Sequence, residues 1–264
     1  MTALQLTPIG TSPAWYNAGE PCSGFLLDAD GYRVLVDCGS GVIARYLALY
    51  GPERPIDAIV LTHVHADHCF DLVPLKYGIE QGTMGHWAPQ LWLPPGSRDR
   101  LATIASAWDQ DFRFFSDPYE VHDYSPATPF EVGPFSVDAL AVPHYVESCA
   151  LRFELDDTSF GFTADTGPND LLAPFMRGVD LLLAEAATSP DADLAMPGRG
   201  HITADEAGAI ARIAGAHSLL LTHVPEEHGI DRARAHAAAA FGGPVDVARS
   251  GEVYDVARRL AAAG

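Results

Sequence analysis

The sequence is nearly devoid of lysine. Of its 264 residues, 16 are Lys or Arg and 35 are Asp or Glu, so that the formal net charge is −19; Lys76 is the only lysine. Binding to a nucleic-acid backbone needs a cluster of basic side chains, and no segment supplies one. The composition therefore disfavours a nucleic-acid polymer as partner and leaves a small anionic substrate open.

The chain also lacks a long apolar run. Nothing approaches the roughly 18 consecutive apolar residues of a membrane-spanning helix, and the opening MTALQLTPIG has no basic start typical of a signal peptide. We expect no membrane association and a cytoplasmic location. The four cysteines are widely spaced and form no C-x-x-C pair, which predicts buried, reduced side chains.

Apolar runs of strand length alternate with helical patterns throughout, as is typical of an α/β protein. We interpret residues 1–264 as one domain. The predicted strands are 32–39, 56–62, 135–143, 178–186 and 217–223, with a hairpin formed by 150–155 and 159–165. The predicted helices are 41–51, 203–215 and 229–243.

Local signals fix the ends of two of these helices. Thr203 and Glu206 have the spacing of a capping box, and Gly215 is the predicted end of that helix. Asp231 is the predicted N-cap of the last helix. Two further segments, 76–90 and 187–200, are rich in Gly and Pro and are predicted to be loops at the rim of a site.

The segment LTHVHADHCFDL places three histidines and an aspartate within six positions. His63 and His65 are two residues apart after a predicted strand, so both can face one ion, while Asp67 and His68 follow where the next helix begins. Four ionisable groups packed so closely in a core would be costly without cations. Imidazole and carboxylate ligands suit Zn²⁺, Mn²⁺ or Fe²⁺.

Two metal ions need more ligands than this segment offers. His144, Asp165 and His223 each follow an apolar run of strand length. Strand ends converge at one edge of a sheet, so we expect these three side chains to join the histidine cluster. Together with the cluster they make a set of the right size for two ions, with one carboxylate to bridge them.

These motifs resemble the metallo-β-lactamase-fold hydrolases. THVHADH matches their signature and is followed in order by PH, ADTGP and THV, and the resemblance covers nearly the whole chain. It implies an αββα sandwich of two mixed sheets flanked by helices, with a dinuclear site at one edge. By resemblance, one metal is held by His63, His65 and His144, the other by Asp67, His68 and His223, with Asp165 bridging them.

Two further motifs narrow the resemblance to the tRNase Z-like phosphodiesterases. LLLAEAAT resembles a segment of that branch, with Ala184 in place of its histidine, and GHITADEAGAIA resembles a motif whose catalytic histidine corresponds to His201. By resemblance, Glu185 supports His201. Arg199 is a candidate contact for a phosphate oxygen, against the alternative of a solvated loop arginine.

The implied mechanism is attack on a phosphodiester by a hydroxide that bridges the two metals. Asp67 or Asp165 would orient this nucleophile, and His201 would donate a proton to the leaving alkoxide as general acid. Zinc is the first expectation for the metal.

The tRNase Z enzymes carry a tRNA-binding arm between the positions of His144 and Asp165, where this chain has room only for a hairpin. We therefore expect a small substrate, with 3′,5′-cyclic nucleotides as the first candidates. The closest resemblance is to actinobacterial-type cyclic-nucleotide phosphodiesterases. An RNA 3′-end nuclease, a hydrolase of another ester such as a lactone, and a non-catalytic binding protein stay open. A homodimer is possible.

Overall fold

The protein is described by a computed structural model that covers residues 3–107, 115, 117–126, 128–192, 194–258 and 260. Two seven-stranded sheets dominate this part of the chain. In spatial order the first sheet contains β14 (Tyr254–Asp255), β1 (Leu4–Gly10), β2 (Gly24–Ala29), β3 (Tyr32–Val36), β4 (Ala58–Val60), β5 (Gln90–Leu93) and β6 (Glu120–Asp123). The second contains β13 (Val245–Val247), β12 (Ser218–Thr222), β11 (Leu181–Glu185), β10 (Thr158–Phe162), β9 (Ser148–Leu155), β8 (Phe135–Val142) and β7 (Phe130–Val132).

Both sheets are mixed in the same way. Strands β14, β1, β2 and β3 pair antiparallel, whereas β3, β4, β5 and β6 pair parallel. In the second sheet β7 to β10 pair antiparallel and β10 to β13 pair parallel. As a result β8, β10, β11 and β12 all run in one direction, and their carboxyl ends reach the same edge of the sheet.

Helices cover the outer face of each sheet. The helices are α1 (Val42–Tyr50), α2 (Ala66–Cys69), α3 (Leu72–Gln81), α4 (Ser97–Ala105), α5 (Leu172–Phe175), α6 (Ala204–Ala214) and α7 (Ile230–Phe241), with a 3₁₀ turn at Glu226–His228. Side chains of α1, α3 and α4 share a buried cluster with the first sheet, and those of α5, α6 and α7 share one with the second. A third cluster lies between the sheets. The layers confirm the predicted αββα sandwich.

The continuous apolar runs of the sequence follow from this layering. In β11, Leu181 and Leu183 point into the cluster between the sheets, while Leu182 and Ala184 point into the helical layer. Successive side chains of a strand alternate between its two faces, so a strand covered on both faces needs apolar residues at every position. Strand β12 follows the same rule.

The predicted caps of α6 are confirmed, whereas the predicted N-cap of α7 was wrong. Thr203 accepts a hydrogen bond from the Glu206 backbone N–H, the Glu206 side chain bonds back to the Thr203 N–H, and Gly215 ends the helix in the left-handed conformation. The last helix instead has Gly229 at its N-cap position and Asp231 inside its first turn. An aspartate there still interacts favourably with the positive end of the helix dipole.

The prediction of a loop over 76–90 was wrong for its first part. Residues 76–81 belong to α3, in which Lys76 forms an ion pair with Glu80 one turn later. At Gly78, inside this helix, an added Cβ would meet the end of the Met84 side chain. A glycine that looked like a loop signal therefore lies within a helix and beside a packed side chain.

The four cysteines are free and buried, as predicted. Within the described residues, no helix has both the length and the apolarity needed to cross a membrane.

Candidate metal centre

Three histidines form the first half of the site. His63 and His65 lie in the segment between β4 and α2, and His144 follows β8 by two residues. His63 Nε2 and His144 Nε2 lie 3.2 Å and 3.0 Å from His65 Nδ1. Three ring nitrogens therefore lie close enough together to hold one ion, and they belong to the set that the resemblance implies.

Two histidines and an aspartate form the other half. Asp67 and His68 lie on the short helix α2, and His223 directly follows β12. Asp67 Oδ2 is 3.3 Å from His68 Nε2 and 3.8 Å from His223 Nε2. All three side chains are buried.

Asp165 lies between the two groups. Its Oδ2 is 3.4 Å from His68 Nε2 and 3.3 Å from His223 Nε2, and 4.0 Å from the Nε2 atoms of both His63 and His144. One carboxylate thus faces the ligand-type nitrogens of both halves. This is the position that a bridging ligand requires, and the cluster as a whole suits a dinuclear metal site.

The outer nitrogens of the histidines are occupied by the protein. His68 Nδ1 lies 2.8 Å from Asp37 Oδ2, His63 Nδ1 lies 3.0 Å from Thr62 Oγ1, and His144 Nδ1 lies 2.8 Å from the Gly200 carbonyl oxygen. His223 Nδ1 lies 3.2 Å from Ser23 Oγ. Such contacts orient imidazoles that bind metal through the opposite nitrogen and select their tautomer.

Two buried polar atoms test whether the residues fit a metal. His68 Nε2 and Asp165 Oδ1 are buried without a hydrogen-bond partner. An unsatisfied buried polar atom costs about 1–3 kcal/mol, and both residues belong to the converging set. The donor set of imidazole and carboxylate is that of Zn²⁺, Mn²⁺ or Fe²⁺ sites, so the residues fit such ions.

The protonation of the cluster is consistent with metal binding. Burial lowers the pKa of His144 and of His223 to about 4, so these imidazoles are neutral near pH 7 and keep a lone pair. Burial also lowers the pKa of His63. His68 differs: burial opposes its charge, yet the carboxylates of Asp165, Asp37 and Asp67 raise its pKa well above the usual value.

The backbone around the site is strained at Asp37, which has φ of +61°, at one candidate ligand and at the residue before another. Ala164, which precedes Asp165, has φ of +54°, and His223 has φ of +57°. Non-glycine residues rarely adopt this left-handed conformation, which costs about 1–3 kcal/mol and clusters at functional sites. The His223 N–H donates to the Thr11 carbonyl oxygen, which holds the strained turn in place.

His201 joins the cluster through a buried carboxylate. His201 Nδ1 lies 3.0 Å from Glu185 Oε1, and the ring stacks on that of His223 at 5.8 Å. Glu185 also accepts hydrogen bonds from the backbone N–H groups of Thr166 and Ala187, which fix its position at the end of β11. The resemblance-based pairing of His201 with Glu185 is present in the structure.

The charge of Glu185 changes the acidity of His201. Burial lowers the His201 pKa, but the Glu185 charge, the hydrogen bond to it and the charge of Asp165 raise it to about 9. His201 Nδ1 also lies 3.9 Å from Asp165 Oδ2, close enough to count among possible metal ligands. Because this nitrogen already pairs with Glu185, Nε2 is the ring nitrogen left for another contact.

Arg199 is engaged within the protein. Its two terminal nitrogens pair with the Glu206 carboxylate at 2.8 Å and 2.6 Å, and one of them also donates to the His201 carbonyl oxygen. The residue is buried. Arg199 thus ties the His201 segment to the first turn of α6, and its contact with a phosphate oxygen stays a prediction.

The sequence reasoning missed two residues of the site. Asp37 follows β3 and is fully buried against His68, so it obeys the same strand-end rule that located Asp165. Tyr145 follows His144, and its ring lies 5.1 Å from the His144 ring and 5.8 Å from the His201 ring. No sequence signal distinguished it from other surface tyrosines.

Comparison with known proteins agrees with this geometry. Residues 32–224 match the family described as "Beta-lactamase superfamily domain". The chain belongs to this superfamily. A probable metallo-hydrolase of Bacillus subtilis, YhfI, is 34% identical over 96% of this chain and 100% of its own length. A ribonuclease Z of Myxococcus xanthus is 27% identical over 98% of this chain and 100% of its own length.

Solved structures of superfamily members show the same architecture. The crystal structure of YhfI aligns with a TM-score of 0.83 at 30% identity, covering 96% of this chain and 99% of YhfI. The short form of human tRNase Z aligns with a TM-score of 0.74 at 20% identity, over 96% of this chain and 99% of the human chain. This superfamily member is a metal-dependent hydrolase that fits the tRNase Z-like branch.

Proposed function

We propose that this superfamily member is a dinuclear phosphodiesterase of small phosphodiesters, with 3′,5′-cyclic nucleotides as the first candidate substrates. His63, His65 and His144 would hold one divalent ion, and Asp67, His68 and His223 the other, with Asp165 between them. Zinc is the first candidate metal. Two ions held there would supply a hydroxide nucleophile near neutral pH and offset charge on the phosphoryl oxygens.

The observation that carries the proposal is the His201–Glu185 pair beside the cluster. A phosphodiester with an alcohol leaving group expels an alkoxide, which needs a proton as the bond breaks. His201 lies against His223, its Nδ1 is held by Glu185 at 3.0 Å, and its pKa of about 9 keeps it protonated near pH 7. Its ring can therefore present a proton at Nε2, while Asp67 and Asp165 orient the attacking oxygen.

The surroundings favour a small substrate over a polymer. A cavity of about 300 Å³ reaches His223, and it is lined by the carboxylates of Glu20 and Glu226 and by one cation, Arg249. These carboxylates repel a polyanion and accept hydrogen bonds from hydroxyl or amino groups. Between His144 and Asp165 the chain forms only the hairpin of β9 and β10, in the place where an RNA-gripping arm is expected in tRNase Z.

One observation favours a second candidate function, the processing of RNA 3′ ends. The similarity to the Myxococcus xanthus ribonuclease Z extends over 98% of this chain. A basic surface provided by a second copy of the chain would be needed, and a charge of −19 argues against it.

A panel of substrates tests the proposal. The metal-loaded protein is assayed against bis-p-nitrophenyl phosphate, cyclic AMP, cyclic GMP, a lactone and a precursor tRNA. We expect hydrolysis of the first compound and of at least one cyclic nucleotide. Hydrolysis of the lactone alone would overturn the phosphodiesterase assignment, and cleavage of the tRNA alone would establish the second candidate.

Matched variants connect this activity to the site. Asp165→Asn removes the negative charge between the two halves of the metal centre. We expect it to abolish hydrolysis and to reduce the bound metal from two ions to one, as measured by metal analysis. Asp180→Asn, which alters a carboxylate paired with His217 at the protein surface, serves as the control.

A further inference from the structure

Tyr145 is a large aromatic residue that stays exposed beside a buried cluster. Its exposed fraction is 60%, although it directly follows the buried side chain of His144. Apolar rings that are left in water at a site often mark where a ligand binds.

The tyrosine ring is held in place on one side. Its hydroxyl accepts a hydrogen bond from the Gly200 N–H at 3.3 Å, and its edge contacts the rings of His144 and His201. Gly200 permits this approach, because a Cβ there would lie 2.7 Å from two atoms of the Tyr145 ring. The ring is thus fixed by the protein while much of its surface faces solvent.

The position of the Tyr145 ring relative to His201 determines which part of a substrate Tyr145 can contact. A general acid must come within about 2.6–3.2 Å of the leaving-group oxygen. The atoms attached to that oxygen then lie within a few ångströms of the His201 ring, whose centroid is 5.8 Å from that of Tyr145. An exposed ring at this distance borders the space that the leaving alcohol occupies.

We propose that Tyr145 forms the leaving-group subsite and selects nucleoside alcohols by stacking on the base. This inference rests on the proposed phosphodiesterase function. Every nucleobase has a flat π-face, so an aromatic platform accepts purines and pyrimidines and discriminates them from simple alcohols. The platform carries no charge, which agrees with a substrate whose only anionic group is at the metal cluster.

Binding measurements test the subsite without relying on turnover. Isothermal titration calorimetry gives the Kd of the metal-loaded protein for adenosine 5′-monophosphate and for ribose 5-phosphate, which lacks the base. Stacking of a base on an aromatic side chain corresponds to a preference of about 5- to 150-fold. We expect this ratio in the wild type and in Tyr145→Phe, and a ratio near one in Tyr145→Ala.

Two controls separate stacking from structural damage. Ile213→Ala removes a side chain that is 69% exposed on α6, about 15 Å along the helix from its start beside His201, and should keep the wild-type ratio. Tyr145→Leu keeps an apolar side chain without a π-face and should lose most of the preference. Thermal unfolding midpoints verify that each variant is folded.

Kinetics on a cyclic nucleotide distinguish a stacking role from a role in holding His201. Loss of stacking raises KM with little change in kcat, whereas a displaced His201 lowers kcat. A wild-type affinity ratio near one, or an unchanged ratio in Tyr145→Ala, would overturn the inference. Failure of the wild type to hydrolyse any phosphodiester would instead overturn the proposed function, and the affinity ratio still decides the role of Tyr145.

Discussion

Replacement of His201 by alanine tests the general-acid role most directly. The variant removes the imidazole that pairs with Glu185, while the seven converging side chains of the metal centre stay in place. A general acid contributes about 10²–10⁴-fold to rate. His201 has 24% of its side chain exposed, so water can enter the vacated space and donate a proton less effectively. We therefore expect the lower part of that range, about 10²–10³-fold, on a cyclic nucleotide.

The same variant should behave differently with an activated substrate. p-Nitrophenolate is a stable anion near neutral pH and leaves without a proton, so kcat for bis-p-nitrophenyl phosphate should fall only a few-fold. Steady-state kinetics on both substrates, with metal content measured for each protein, gives the comparison. Equal losses on the two substrates would refute the general-acid role. Loss of a bound ion would mean that His201 is a ligand.

His217, at the end of β12 that lies away from the site, provides a matched control. His217 precedes β12, and its Nδ1 lies 2.9 Å from Asp180 Oδ1, a pair with nearly the same geometry as His201 and Glu185. His223 follows β12, so His217 lies about 20 Å from the site. His217→Ala should leave both activities at the wild-type level, and a loss like that of His201→Ala would point to general destabilisation.

Three further results are expected. Asp37→Asn weakens the contact that orients His68 and should lower metal affinity about 10- to 100-fold in chelator competition; unchanged affinity would contradict this role. Removal of metal should lower the thermal unfolding midpoint, since ions at 100 times their Kd stabilise the fold by about 2.7 kcal/mol. If differential scanning fluorimetry gave the same midpoint with and without metal, the folded protein would have no such site. Gly39→Ala places a Cβ against the Asp67 carbonyl oxygen and should cost about 1–3 kcal/mol in denaturant unfolding together with metal binding, whereas Gly85→Ala, where the added Cβ would lie 3.5 Å from the Ile79 carbonyl oxygen, should retain stability and metal.

Much of the fold was predictable from apolar patterning. Strands β11 and β12 are apolar at nearly every position because both faces are covered, and this made them visible as short buried runs. The capping box at Thr203 was visible because it depends on residues only three positions apart. The helix at 76–81 was missed because Gly78 looked like a loop signal, and a local pattern does not reveal that it lies beside the packed side chain of Met84.

The sequence by itself determined which residue types carry the chemistry. The spacing of His63, His65, Asp67 and His68 indicated a metal site, and the strand-end positions of His144, Asp165 and His223 predicted that these residues would lie beside it. These signals are local, because a strand end is defined by its own neighbours in the chain.

Only the tertiary structure decided how these groups act together. It placed Asp165 between both halves, set Asp37 behind His68, paired Arg199 with Glu206 and brought Tyr145 against His201. Each of these contacts joins segments that are distant in the sequence or depends on the direction of a side chain. Distances and orientations of this kind are fixed by packing of the two sheets and their loops, which local sequence patterns do not encode.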